Sequence, residues 1–164
     1  MSTFTVSYTY AHTVSHVTTK MLLLLKDIIR EIGLDPSSFV SDWDTNERAV
    51  STWLASGHLR CVTLEVYSKA TGKLVTRWDM DVLYSTVGDG SLWVDTDAIR
   101  YNIVKAGVAP SGCSYDLTLR TSPGRPDVVG WGPGALRSTE GLTRYNIGAT
   151  VGGNGLTSET AYWR

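Results

Sequence analysis

The chain has 164 residues, 42% of them hydrophobic, and a formal net charge of −1, which is one domain's length with enough apolar side chains for a core. A pI near 6.3 leaves no basic field for holding phosphates, so bulk nucleic-acid binding and adsorption to an anionic membrane are disfavoured. Two cysteines, Cys61 and Cys113, are too few for a disulfide framework, and a reduced, cytoplasmic chain is expected.

Phe4, Val6, Tyr8 and Tyr10 alternate with Thr5, Ser7 and Thr9, the period-2 pattern of a half-buried strand. From about Thr13 the period lengthens. Val14, Val17, Met21, Leu24, Leu25, Ile28, Ile29 and Ile32 recur at three- and four-residue steps, while Lys20, Lys26, Asp27, Arg30 and Glu31 take the other side. This predicts an amphipathic helix, stopped by Gly33 and Asp35-Pro36. The apolar run Met21 to Leu25 is closed by Lys20 and Lys26, far short of the roughly 20 residues that cross a bilayer. No cationic segment with a small-residue cleavage site precedes it, so neither a membrane span nor export is expected.

A second helix is predicted from Asp42 or Asp44, where Asp44 and Glu47 have capping-box spacing, past Val50, Trp53 and Leu54 to Gly57. Two strands follow. Val62, Leu64 and Val66 share a face of the first, and Leu74, Thr76, Trp78, Met80, Val82 and Tyr84 share a face of the second. Lys69-Ala70-Thr71-Gly72-Lys73 reads as the hairpin turn between them. After a polar loop holding Gly88-Asp89-Gly90, Asp95 or Thr96 caps a short helix that buries Ile99, Ile103 and Ala106 and ends at Gly107; Tyr115, Leu117, Leu119 and Thr121 then alternate as another strand. Three helices on one face of a small, mostly antiparallel sheet, an α+β domain, is the economical packing.

Residues 122–164 are different in kind. They hold nine of the chain's sixteen glycines, yet also Trp131, Leu136, Leu142, Tyr145, Ile147, Leu156, Tyr162 and Trp163. Such a segment is too apolar for a disordered tail and too glycine-rich for a helix or an independent core. It reads as a long arm laid over a body of residues 1–121, with Trp131 as its anchor.

Candidate chemistry is thin. Asp79 and Asp81 flank Met80 and project to one strand face, an arrangement that suits a divalent metal or acid–base work, but a solvated face opposite Trp78, Met80 and Val82 accounts for the same alternation. His12 and His16 have helical ligand spacing but straddle the predicted helix start and lack a metalloprotease glutamate. His58, Cys61 and Cys113 fall one donor short of a closed zinc site. Gly148 to Gly155, GATVGGNG, is followed by neither Lys-Ser nor Lys-Thr nor a helix signal, and no nucleophile elbow is present. Neither a metal nor any other cofactor is expected.

LKDIIREIGLDP (Leu25 to Pro36), VTLEVYSKATGKLVTRWDMDVLY (Val62 to Tyr84), SPGRPDVVGW (Ser122 to Trp131), LRSTEGL (Leu136 to Leu142) and the closing AYWR resemble bacterial HORMA-domain proteins of CBASS antiphage operons. The resemblance runs almost end to end. It implies one HORMA-like domain over residues 1–164, whose C-terminal segment, 122–164, is a safety belt that closes over an extended closure-motif peptide added to the sheet. It also implies two topologies, open and closed. The closed form would bind and activate a cyclic-oligonucleotide synthase of the CD-NTase class, and an AAA+ remodeler would reset it by working on the N-terminal segment; a second HORMA protein is a further possible partner.

On the same grounds Arg125, Trp131, Tyr115, Leu117, Leu119 and Tyr145 are expected at the peptide and belt, and Ser2, Thr3, Phe4, Thr5 and Val6 at the remodeler contact. Arg125 and Arg137 have the chemistry to meet a partner's carboxylates, although solvated arm charges explain them equally. A non-catalytic regulatory switch is the expected function. The alternatives are a small metal-dependent enzyme using Asp79, Asp81 and Asp89, and a self-assembling structural protein whose arm swaps onto a neighbour.

Overall fold

The computed structural model describes residues 10–85 and 91–164. The expected first strand and the remodeler contact Ser2 to Val6 fall outside the described residues, as do Gly88, Asp89 and Gly90. Tyr10, assigned above to the end of that strand, instead opens helix α1, Tyr10–Glu31, where its hydroxyl donates to the Leu54 carbonyl at 2.8 Å. His12 and His16 therefore both lie within α1 rather than across its start, and His16 Nε2 engages the Trp93 carbonyl at 3.1 Å.

The apolar stripe of α1 is buried as its period requires, from Val14 through Met21 and Leu25 to Ile29. Gly33, at φ 92°, takes the left-handed conformation that ends the helix. A five-residue helix α2, Ser37–Ser41, follows with Phe39 buried; it is too short to leave a periodic signal. Helix α3, Trp43–Ala55, then runs from Asp42, whose side chain makes no capping bond. The expected capping box is not formed, because Asp44 lies inside the first turn rather than at the N-cap, and Glu47 accepts from Trp43 Nε1 at 3.2 Å.

Strands β1 (Leu59–Ser68) and β2 (Leu74–Tyr84) form the expected hairpin. Short β3 (Trp93–Val94) precedes helix α4 (Thr96–Ala106), capped by Asp95 accepting from the Ala98 amide, and β4 (Cys113–Thr121) follows. The last two strands, β5 (Arg144–Gly153) and β6 (Leu156–Trp163), complete one six-stranded sheet in the order β3-β5-β6-β2-β1-β4. Every pairing in it is antiparallel.

The arm thus divides in two. Residues 122–143 are irregular, whereas the β5–β6 hairpin is built into the sheet, with Val151, Leu156 and Tyr162 in the core. Tyr162 stacks on Trp78 at 4.9 Å and on Tyr145 at 5.1 Å. The hairpin pairs with β2 of its own chain along the length of β6.

Strand β1 is buried on both faces. Val62, Leu64 and Val66 belong to the hydrophobic core, while Cys61, Thr63 and Glu65, which alternation directs to the other face, are also buried. Burial pushes the Cys61 thiol up to about 12, and the neighbouring Asp79 and Asp81 charges add to this against a hydrogen bond with Thr63. Because the thiolate is the reactive form, Cys113 should be alkylated by iodoacetamide at pH 8 at least about tenfold faster than Cys61 in the native protein. Equal labelling rates, read by mass spectrometry of tryptic peptides, would show that the second face of β1 is open.

Candidate functional site

What covers the second face of β1 is the irregular half of the arm. It leaves β4 with Ser122 still bonded to the His58 carbonyl at 2.8 Å, then lies against α3. Trp53 Nε1 donates to the Pro126 carbonyl at 2.7 Å, and Trp131 Nε1 donates to the Thr45 carbonyl at 3.1 Å. The two indoles meet edge to face at 6.0 Å, Val128 is buried, and the Arg125 guanidinium lies 4.6 Å over the Trp53 ring. Gly130 is required here: its φ is +93°, and a Cβ would sit 2.9 Å from the Thr45 methyl.

The second anchor is ionic. The Arg137 amide donates to Glu65 Oε2 at 2.8 Å, its guanidinium reaches Glu65 Oε1 at 3.3 Å and Asp116 Oδ2 at 2.9 Å, and it stands 3.7 Å over the Tyr67 ring. Burial alone would lower the Arg137 pKa, but the hydrogen bond to Asp116 and the charges of Asp116 and Glu65 leave it raised. Glu65 is fully buried on β1, and among the described residues Arg137 supplies the charge that pairs it, since an unpaired buried charge is costly. Arg137, expected at most to meet a partner's carboxylates, is used internally.

Between the two anchors Gly132, Pro133, Gly134, Ala135 and Leu136 are exposed and pass over the outer edge of β4. Among the described residues no strand lies beside that edge, so alternate N–H and C=O groups point outward unpaired by the sheet. Three adjoining cavities follow it. One of about 420 Å³ is lined by Tyr115, Asp116 and Leu117 with Asp42, Thr45 and Trp131. Another of about 380 Å³ lies between Trp53, Trp131, Leu117, Leu119 and the bridging residues, and a third of about 300 Å³ reaches Arg120 and Thr121.

Five of the six belt residues named from the resemblance, Arg125, Trp131, Tyr115, Leu117 and Leu119, therefore line one channel. Tyr145 does not. It is on β5, four strand positions from β4, or roughly 19 Å at about 4.8 Å per strand, and stacks on Tyr162. Trp53, Thr45, Asp42 and Glu65 were not singled out by the sequence. The one hint in the sequence is the charged Glu65 within the otherwise uncharged run Cys61–Val66.

Asp79 and Asp81 are not a solvated pair. Asp79 is buried, with Arg77 Nη2 at 2.9 Å, the Thr63 hydroxyl at 2.9 Å and Trp163 Nε1 at 3.0 Å on its oxygens. Register explains this, because Thr63, Asp79 and Ala161 align across β1, β2 and β6, where Trp163 and Arg77 close over the aspartate. Asp81 faces Arg120 at 3.5 Å and Arg144 at 3.9 Å. Among the described residues no group of three or more His, Cys, Asp or Glu is placed to hold a metal, and no helix is long and apolar enough to cross a membrane.

A family model, Bacterial HORMA domain 2, matches residues 1–164. The chain belongs to the bacterial HORMA domain family. Solved structures share its fold at low identity. A chain of the mitotic checkpoint complex is 10% identical with a TM-score of 0.72, over 92% of this chain and 97% of that one. Caenorhabditis elegans HTP-2 bound to the HIM-3 closure motif is 10% identical with a TM-score of 0.66, over 90% and 87%. A chain of the Escherichia coli MS115-1 CdnC:HORMA-deltaN complex is 13% identical with a TM-score of 0.60, over 99% and 93%. Comparison with curated protein sequences returns no match.

The ionic anchor makes a direct prediction for this HORMA domain. Arg137→Ala leaves Glu65 buried without its cation, and should cost the belt about 3 kcal/mol, the low end for breaking a buried pair, because Arg137 keeps 27% of its side chain exposed. Arg137→Lys should recover less than half of this, since lysine lacks the fork. Limited proteolysis within 132–136 checks both; cleavage no faster than in the wild type would mean that Trp131 alone holds the belt.

Proposed function

We propose that this chain is a non-catalytic switch that holds an extended closure-motif peptide along the outer edge of β4, under the belt. In that closed state it binds and activates a CD-NTase in antiphage defence. The observation that supports this is the unpaired β4 edge bridged by Gly132–Leu136 between two anchored ends. A strand added there satisfies the outward main-chain groups whatever its sequence, while its alternate side chains meet the cavities. The terminal hairpin sits beside β2, on the opposite side of the sheet from β4, which leaves that edge available; we take this arrangement to be the closed one.

The CD-NTase is carried over from the E. coli HORMA domain in complex with CdnC, and the peptide from HTP-2 bound to a closure motif. Resetting by an AAA+ remodeler acting on Ser2 to Val6, and a second HORMA protein as peptide donor, rest on family resemblance. No nucleic acid or membrane partner is proposed, and no residue is assigned catalysis or a cofactor.

Trp131→Ala tests the reading. The ring is only partly buried without a ligand and lines the channel, so its loss should raise the dissociation rate of a bound peptide at least about tenfold while changing chemical unfolding of the body much less. Equal losses in both would make Trp131 merely structural. Size-exclusion chromatography with the CD-NTase from the same genome should give a complex whose nucleotide synthesis exceeds that of the synthase alone. Deleting residues 2–8 should impair remodeler-driven opening and spare synthase binding; unchanged opening would remove the remodeler contact from that segment.

A further inference from the structure

The channel is electrically polarised along β4. At the Tyr115 end every charged residue lining it is an acid, Asp42 and Asp116. At the Thr121 end every charged residue lining it is a base, Arg120 and Arg125. Two of the four are already engaged, Asp116 by Arg137 at 2.9 Å and Arg120 by Asp81 at 3.5 Å. The other two are less committed. Asp42 makes no capping bond, and Arg125 pairs at 3.9 Å with Asp127, whose side chain is fully exposed and so screened by solvent. Arg125 is also held in place by its guanidinium contact with the Trp53 ring, 4.6 Å from the centroid.

In the middle the apolar side chains of Trp53, Trp131, Leu117 and Leu119 lie under Pro133 and Ala135, with Asp116 and Arg125 reaching in from the two ends. Side chains alternate along a strand, so a segment paired with β4 sends every second residue to the helix side, where Tyr115 bonds Asp35 and Ser38 and where Trp53 and Trp131 stand. Three successive residues of that set lie opposite Tyr115, Leu117 and Leu119. They meet, in turn, the Asp42 carboxylate, the indole pair and the Arg125 guanidinium.

We infer that the channel selects a charge-polarised peptide: a basic and an acidic residue four apart, with an apolar residue midway, the base seated by Asp42 and the acid by Arg125. This rests on the peptide-binding reading above and adds the chemical class of the ligand. Each end also rejects the wrong sign, because a lysine beside Arg125 or a glutamate beside Asp42 desolvates like charges together.

The test is selection of phage-displayed random nine-residue peptides on the full-length wild-type chain and on the variants Asp42→Lys and Arg125→Glu, each first checked for native thermal unfolding. The wild type should enrich the acid–apolar–base spacing, and the order of the two charges along the peptide gives the strand's direction. Asp42→Lys should replace the basic position with an acid, and Arg125→Glu the reverse. A synthetic peptide of the wild-type pattern should lose at least about tenfold in affinity on either variant and regain it when its matching charge is reversed. Enriched peptides with no charge preference, or a preference that neither variant moves, would overturn this inference and leave peptide binding standing. No enrichment on any of the three would overturn both.

Discussion

The structure turns on the fate of one row of main-chain groups. A sheet must end somewhere, and among the described residues it ends at β4 with outward N–H and C=O groups that no neighbouring strand bonds. Bare edges invite indiscriminate pairing, and proteins manage them by cover, charge or twist. This chain covers its edge with its own arm yet leaves room beneath. The same device protects the edge and restricts what pairs with it.

The cover is ordered by its ends rather than by its middle. Residues 132–136 are exposed, so fixing them costs about 1–2 kcal/mol of backbone entropy per residue with little burial to offset it. The offset comes from two unlike contacts: the indole pair with its carbonyl partners on α3, and the Arg137 clasp on β1 and β4. One depends on apolar burial and is nearly indifferent to salt. The other is an ion pair with a partly exposed guanidinium, which salt screens. Strengthening or weakening either alters how long the belt stays shut without touching the helices or the central hairpin.

Much of the framework was legible because its signals are periodic. The stripe from Val14 to Ile32, the β1–β2 hairpin, Asp95 at the start of α4 and the alternation in β4 all appear where their spacing put them. Local pattern failed where distant chain decided the outcome. Asp79 reads as solvated from its own strand, and only Trp163, paired with Arg77 from the far end of the chain, buries it. Glu65 likewise looks like an outward residue until Arg137 lies on it. The helix α2 was too short to register, and the glycines of β5 hid a strand whose stability comes from β6. The channel itself followed from family resemblance more than from residues, since Asp42, Trp53 and Trp131 are brought together only by folding.

Pairing of β6 with β2 turns the stretch between β4 and the terminal hairpin into a ring, fastened at one side by β4 and β1 and at the other by β2. A loose chain end can be fed through a ring. A segment in the middle of a folded protein cannot, because the bulk on either side will not pass beneath five residues. For such a guest the ring has to be unclasped and refastened around it, so the kinetics of capture are governed by the host's own contacts, and escape requires the same unfastening.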